Sequence, residues 1–153
     1  MKNTRLLSKL ILVGTSAFAV LAQAQAATME VWKSPTCGCC NEWISYMKNN
    51  GFEVKVHETG NAKQHQLFGI KDDYVSCHTA VVDGYVIEGH VPAEDVKRLL
   101  AEKPDAIGLS APGMPVGSPG MDGPAYQGRK DAYDVLLLKK NGESEVFSSH
   151  NQE

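Results

Sequence analysis

The run Cys37-Gly38-Cys39-Cys40 holds three of the four cysteines of this chain, where a β-rich stretch gives way to helical spacing. A strand, a short turn bearing thiols and then a helix is a restrictive arrangement. It sets the sulfurs at a helix N-terminus, near the positive end of the dipole and unpaired backbone N–H groups, where thiolate is stabilised. Cys39 and Cys40 are neighbours, and a disulfide between adjacent residues must twist the peptide that joins them. A framework serving only to staple a fold would space its cysteines apart. The cluster therefore reads as chemistry, either disulfide exchange or metal binding, with Cys77 as the fourth thiol.

The compartment bears on that choice. Lys2, Arg5 and Lys9 form a basic leader, Leu10 to Leu21 an almost wholly apolar run, and Ala24-Gln25-Ala26 an A-x-A cleavage pattern. This predicts a secretory signal over residues 1–26, because roughly 12 apolar residues fall short of the ~20 that span a bilayer. No later stretch is long enough to span. Removing the signal takes three of the 15 basic residues and none of the 18 acidic ones, moving the formal net charge from −3 to −6. An acidic chain without clustered Lys and Arg is a poor partner for nucleic acid or an anionic membrane. Export across a membrane implies an oxidising compartment, where disulfides persist.

Residues 27–153 suit one compact unit. Met29 to Ser34 is a strand candidate. From Gly38, Cys40, Trp43, Ile44 and Met47 fall on one helical face, and Asn50-Gly51 stops the helix. Phe52, Val54 and Val56 alternate as a second strand, and Asn61 to Phe68 is a short helix ending at Gly69. Thr79–Val82 and Tyr85–Glu88 flank Asp83-Gly84, a strong hairpin signal, and Pro92 opens a helix with Val96, Leu99 and Leu100 at core spacing. The order β-α-β-α-β-β-α implies one mixed sheet covered by helices. Residues 104–128 are dense in Gly and Pro, without periodicity, and too long for an ordinary loop, so they are either disordered or functional. Tyr133–Leu138 and Glu143–Ser148 form a second hairpin around Lys140-Asn141-Gly142. The expected division is a domain over 27–103 and a C-terminal extension over 104–153.

Cys37 and Cys40 have the C-x-x-C spacing of thiol oxidoreductases, and residues 29–103 resemble a thioredoxin-like domain. Thioredoxins and glutaredoxins place a cis-proline just before the third strand, against the active-site cysteines. In this chain "VSCHTAVVDG" occupies that stretch, with His78 at the position of the proline and Cys77 before it. A loop that normally shields a dithiol from metal would here present a thiol and an imidazole.

The stretches "SPTCGCCNEW", "SCHTAVVDGYVIEGHVP" and "GMPVGSPGM" make the chain similar to the CopG-type copper-resistance proteins, a Gram-negative periplasmic family with a C-x-C-C motif on a thioredoxin-like domain. The resemblance implies copper binding and Cu(I)/Cu(II) redox chemistry. Soft Cu(I) prefers thiolate and thioether ligands. Cys37, Cys39, Cys40 and Cys77 supply the thiolates, and His78 an imidazole. Met114 and Met121, in a loop with no apolar face to pack on, are the candidate thioethers. The sulfur count allows more than one copper ion. Expected partners of a monomeric chain are copper ions and a copper efflux or redox protein.

Two other readings stay open. Cys37 and Cys40 as attacking and resolving thiols would make a thiol-disulfide oxidoreductase. A Cys₃His site would hold structural zinc, although adjacent cysteines suit four spread tetrahedral ligands poorly. His90 either reaches the site or ends its strand. His57 and His65 read as surface residues, and Trp32, Trp43 and Met47 as core.

Overall fold

Alternation in the first β-rich run decides which of its side chains go inward. In the computed structural model, which describes residues 26–152, β1 (Thr28–Lys33) buries Met29, Val31 and Lys33 on one face. Trp32 lies on the opposite, half-exposed face and stacks on His57 with ring centroids 4.8 Å apart, so it is not the core residue its size suggested. The signal expected over residues 1–26 lies outside the described residues, save for Ala26.

α1 (Gly38–Asn49) buries Cys40, Trp43, Ile44 and Met47, the predicted stripe. β2 (Glu53–His57) runs parallel to β1, as a crossover through a helix requires. α2 (Ala62–Phe68) ends on Gly69, and a 3₁₀ turn over Asp72–Tyr74 leads to β3 (His78–Val82). β4 (Tyr85–Gly89) pairs back on β3 through Asp83-Gly84, both with positive φ, the backbone a tight two-residue hairpin demands. α3 (Ala93–Glu102) follows Pro92 and carries Glu94 and Asp95 in its first turn, where the dipole favours negative charge.

The Gly/Pro-rich stretch departs from its expected lack of regular structure. β5 (Gly108–Ala111) is fully buried and pairs parallel with β4. Four residues covered on both faces have no polar alternation to announce them, and flanking Gly and Pro mask them further. β6 (Tyr133–Leu138) and β7 (Ser144–His150) complete a seven-stranded mixed sheet in the order β2-β1-β3-β4-β5-β6-β7. The extension from residue 104 thus continues the same sheet.

The main core joins Met29, Val31, Ala80 and Ile87 of the sheet to Trp43 and Met47 of α1 and Val96 and Leu99 of α3. Ile70, Val86 and Leu138 form a smaller cluster with Phe68 and Tyr74. Among the described residues no helix is long and apolar enough to cross a membrane.

Between β5 and β6 the chain is ordered by its own backbone. Ser118 N–H donates to Pro115 O at 3.1 Å, Met121 N–H to Ser118 O at 2.8 Å, and Gly117 N–H to Met121 O at 2.8 Å. Asp131 N–H donates to Val116 O at 2.8 Å, which pins the far end. Val116, Ser118 and Met121 are buried.

Candidate metal centre

The turn Ser34-Pro35-Thr36 delivers Cys37 to the N-cap of α1, where its Sγ accepts from Cys40 N–H at 3.3 Å. Cys37 and Cys40 are joined by a disulfide with Cα atoms 5.4 Å apart. The first turn of α1 carries no acidic residue to compete for the positive end of the dipole. Cys39 and Cys77 are free thiols. Cys39 Sγ lies 3.6 Å from Cys37 Sγ and 4.0 Å from Cys77 Sγ, and Cys77 Sγ lies 3.4 Å from Cys40 Sγ. Each free thiol therefore stands against a different sulfur of the disulfide.

Cys77 precedes β3 and meets two imidazoles. Its Sγ is 3.4 Å from His78 Nδ1 and 3.2 Å from His90 Nε2. His90 answers the question its sequence position left open, because the turn at Gly89 (φ 73°) brings it back to the thiols. Its Nδ1 is 2.8 Å from Pro119 O, so Nδ1 carries the proton and Nε2 presents its lone pair to Cys77. His78 is fully buried, its ring 4.4 Å from Trp43, and its Nε2 has no hydrogen-bond partner. Trp43 is held in turn by donation to Val91 O at 2.9 Å.

Burial sets the protonation states. It pushes His78 well below the usual imidazole range, with His90 beside it adding to the shift. Burial also lowers His90, against the opposing bond to Pro119. Both rings are therefore neutral at pH 7, the form that binds metal. Burial first, and then the neighbouring Cys39, push the Cys77 thiol up to about 12. A cation reverses that preference, because a coordinating thiol gives up its proton.

Two overlapping ligand sets result: Cys37, Cys39, Cys40 and Cys77, and then Cys77, His78 and His90, each with its ligand atoms within 4.8 Å of one another. Neither contains a carboxylate, which sets them apart from sites for hard cations. The Gly/Pro loop roofs this centre through its backbone. Besides the Pro119 bond, Gly120 packs so closely that an added Cβ would stand 2.7 Å from Trp43 N and 2.8 Å from Cys39 O. Met121 is buried and its sulfur accepts from Tyr126 OH at 3.2 Å, whereas Met114 is 53% exposed. A cleft of about 340 Å³ beside Cys39 is lined by Glu42, Asp122 and Tyr126 as well.

Solved structures share this fold. The chain matches a structure of a copper resistance protein, CopG form 2, at 39% identity over 82% of this chain and 98% of that one, with a TM-score of 0.76. It matches form 1 of CopG at 38% identity over 83% and 99%, also with a TM-score of 0.76. The chain belongs to the CopG copper-resistance protein family. The model of a family described as a protein of unknown function, DUF411, matches residues 74–121, which run from the approach to Cys77 as far as Met121. No curated protein matches the chain.

In this CopG-family chain, sequence reasoning missed one group of residues near the site. His65, expected at the surface, is half-buried and contacts the fully buried Glu88 at 2.9 Å. The available signal was Glu88 itself, a charge at a position of a β-run flanked on both sides by buried residues.

Proposed function

We propose that this chain is a periplasmic copper-binding protein of copper resistance that interconverts Cu(I) and Cu(II). The ligands would be Cys37, Cys39, Cys40, Cys77, His78 and His90, with Met114 and Met121 of the loop as candidate thioethers. The observation that carries the reading is the convergence of four sulfurs and two imidazoles in ligand sets that share Cys77. Thiolates and thioethers suit Cu(I), and imidazole suits either oxidation state. His78 also keeps its buried Nε2 without a hydrogen-bond partner. The set fits copper.

Copper is the substrate in this reading, and the Cys37–Cys40 pair is the electron store. Closing that pair converts two thiols to one disulfide and releases two electrons and two protons. Those electrons take two Cu(II) to two Cu(I), and the protons pass to water. Reopening the disulfide needs an external dithiol partner.

Anaerobic titration of the reduced protein with Cu(I) against a strong chelator tests the reading. More than one copper per chain is expected. Saturation at zero copper, or displacement by equimolar zinc, overturns it. Mass spectrometry of exported protein tests the location, with a first residue within two positions of Ala27 expected and an intact Met1 excluding it.

The Cys37–Cys40 disulfide favours one second reading, a thiol-disulfide oxidoreductase acting on proteins. That activity does not need Cys39. A Cys39→Ser variant with unchanged copper loading and full disulfide-reductase activity would select it.

A further inference from the structure

Glu88 is fully buried on β4, opposite Thr79 of β3. A buried carboxylate is costly unless its oxygens are bonded, and the neighbouring pair Val81 and Val86 shows that aliphatic side chains fit this part of the hairpin. One of the bonds Glu88 makes reaches the residue that precedes Cys77. Its Oε2 accepts from Thr79 Oγ1 at 2.5 Å, and its Oε1 accepts from the backbone N–H of Ser76 at 2.7 Å and contacts His65 Nε2 at 2.9 Å. β3 begins only at His78, so the carboxylate supplies the Ser76 N–H with the acceptor that no neighbouring strand provides.

The other backbone group of the same residue is gripped as well. Asn61 Nδ2 donates to Ser76 O at 3.2 Å and to Thr79 Oγ1 at 3.2 Å, and lies 3.0 Å from His65 Nε2. Ser76 Oγ donates to Gly113 O, and an added Cβ on Gly89 would fall 2.6 Å from Ser76 Cβ. The residue before Cys77 is thus held at its N–H, its carbonyl and its side chain.

We infer that Glu88 is a positioning residue of the metal centre, acting through the Ser76 N–H to aim Cys77 Sγ at the other sulfurs and at His90. The inference rests on the copper reading for its purpose, while the positioning itself is independent of metal. Partners behind a ligand commonly govern affinity by 10- to 100-fold.

The test compares Glu88→Ala, Glu88→Gln and the remote core variant Leu99→Val in the mature chain. In metal-free protein with the Cys37–Cys40 disulfide intact, maleimide labelling of Cys77 is measured against that of Cys39. Glu88→Ala raises the Cys77:Cys39 ratio about 10-fold and weakens Cu(I) binding by about the same factor. Glu88→Gln keeps an oxygen for the Ser76 N–H and stays within about threefold of the parent in both. Leu99→Val loses stability at the parental ratio. Parental labelling and affinity in Glu88→Ala, or an equal shift in Leu99→Val, overturns the inference. If the parent takes no copper, the copper reading fails and the labelling ratio still decides the role of Glu88. If Glu88→Ala is too unstable to isolate, Asn61→Ala, which frees the Ser76 carbonyl, is judged by the same ratio.

Discussion

His90 Nε2 stands 3.2 Å from Cys77 Sγ while the opposite ring nitrogen donates to the carbonyl of Pro119. One imidazole thereby links the end of β4, the thiol before β3 and the loop that roofs the site. Any change at the sulfur that moves His90 is felt by the loop, and the reverse holds.

Replacing His90 with Ala breaks both links. Stability should fall by about 1–2 kcal/mol for the lost Pro119 bond and vacated space. Amides of residues 117–121 should exchange faster with solvent, and copper affinity should drop. Hydrogen-exchange mass spectrometry with chelator competition checks this, and unchanged exchange in the loop would refute the link.

Cys39 is the one thiol of the C-x-C-C run outside the disulfide. Cys39→Ser should lower the copper stoichiometry by at least one ion while Cys37 and Cys40 still close. Copper analysis and a thiol count on the same sample separate the two effects.

Gly120 has φ 84° and no room for a Cβ against Trp43 and Cys39, whereas Gly123 has open space and no positive φ. Gly120→Ala should destabilise the protein by more than about 1 kcal/mol, and Gly123→Ala should be neutral or stabilising by up to about 1 kcal/mol. Urea midpoints decide the contrast.

Met114→Leu with Met121→Leu removes both thioethers at nearly constant volume. The cost in stability should stay under about 1.5 kcal/mol, most of it from buried Met121 and its bond from Tyr126. Copper affinity should fall if either sulfur is a ligand. Equal affinity assigns the site to the thiols and imidazoles alone.

Burial, reinforced by Asp95 and Glu94, raises the Tyr133 phenol above its ordinary range. A phenol with a raised folded-state pKa contributes stability that is complete below pH about 10 and is lost as pH rises toward the folded value. The parent should therefore lose stability between pH 9 and about 11, and Tyr133→Phe should lose less. Urea unfolding at both ends of that window is the measurement.

Much of this was legible in the sequence. The helical stripe Cys40, Trp43, Ile44 and Met47, the Asp83-Gly84 hairpin and the start of α3 after Pro92 all follow local rules of period and turn chemistry. The company of the cysteines is legible too, since the resemblance sets Cys77 against the C-x-C-C run. β5 was hidden, because a strand buried on both faces lacks alternation. Glu88 was hidden, and His90 left undecided, for another reason. Their roles arise from long-range contacts, from His90 to Pro119 and from Glu88 to His65, that no short window of sequence contains. The loop showed its Gly and Pro spacing but not its fastening, which is made by main-chain groups such as Pro119 O and Gly117 N–H.

The placement of β5 between β4 and β6 has a bearing on how this protein tolerates being cut. A chain ended at Lys103 would keep the C-x-C-C helix and the first four strands, yet it would strip β4 of a parallel neighbour along Val86–Gly89. That row of N–H and C=O groups would become an open edge flanked by apolar side chains, the kind that recruits a strand from another molecule. The expected fate of such a fragment is self-association in the register of β4, and a proteolytic nick near Pro104 would have the same sequel if it freed β5. The strand least visible in the sequence is thus the one that closes the β4 edge.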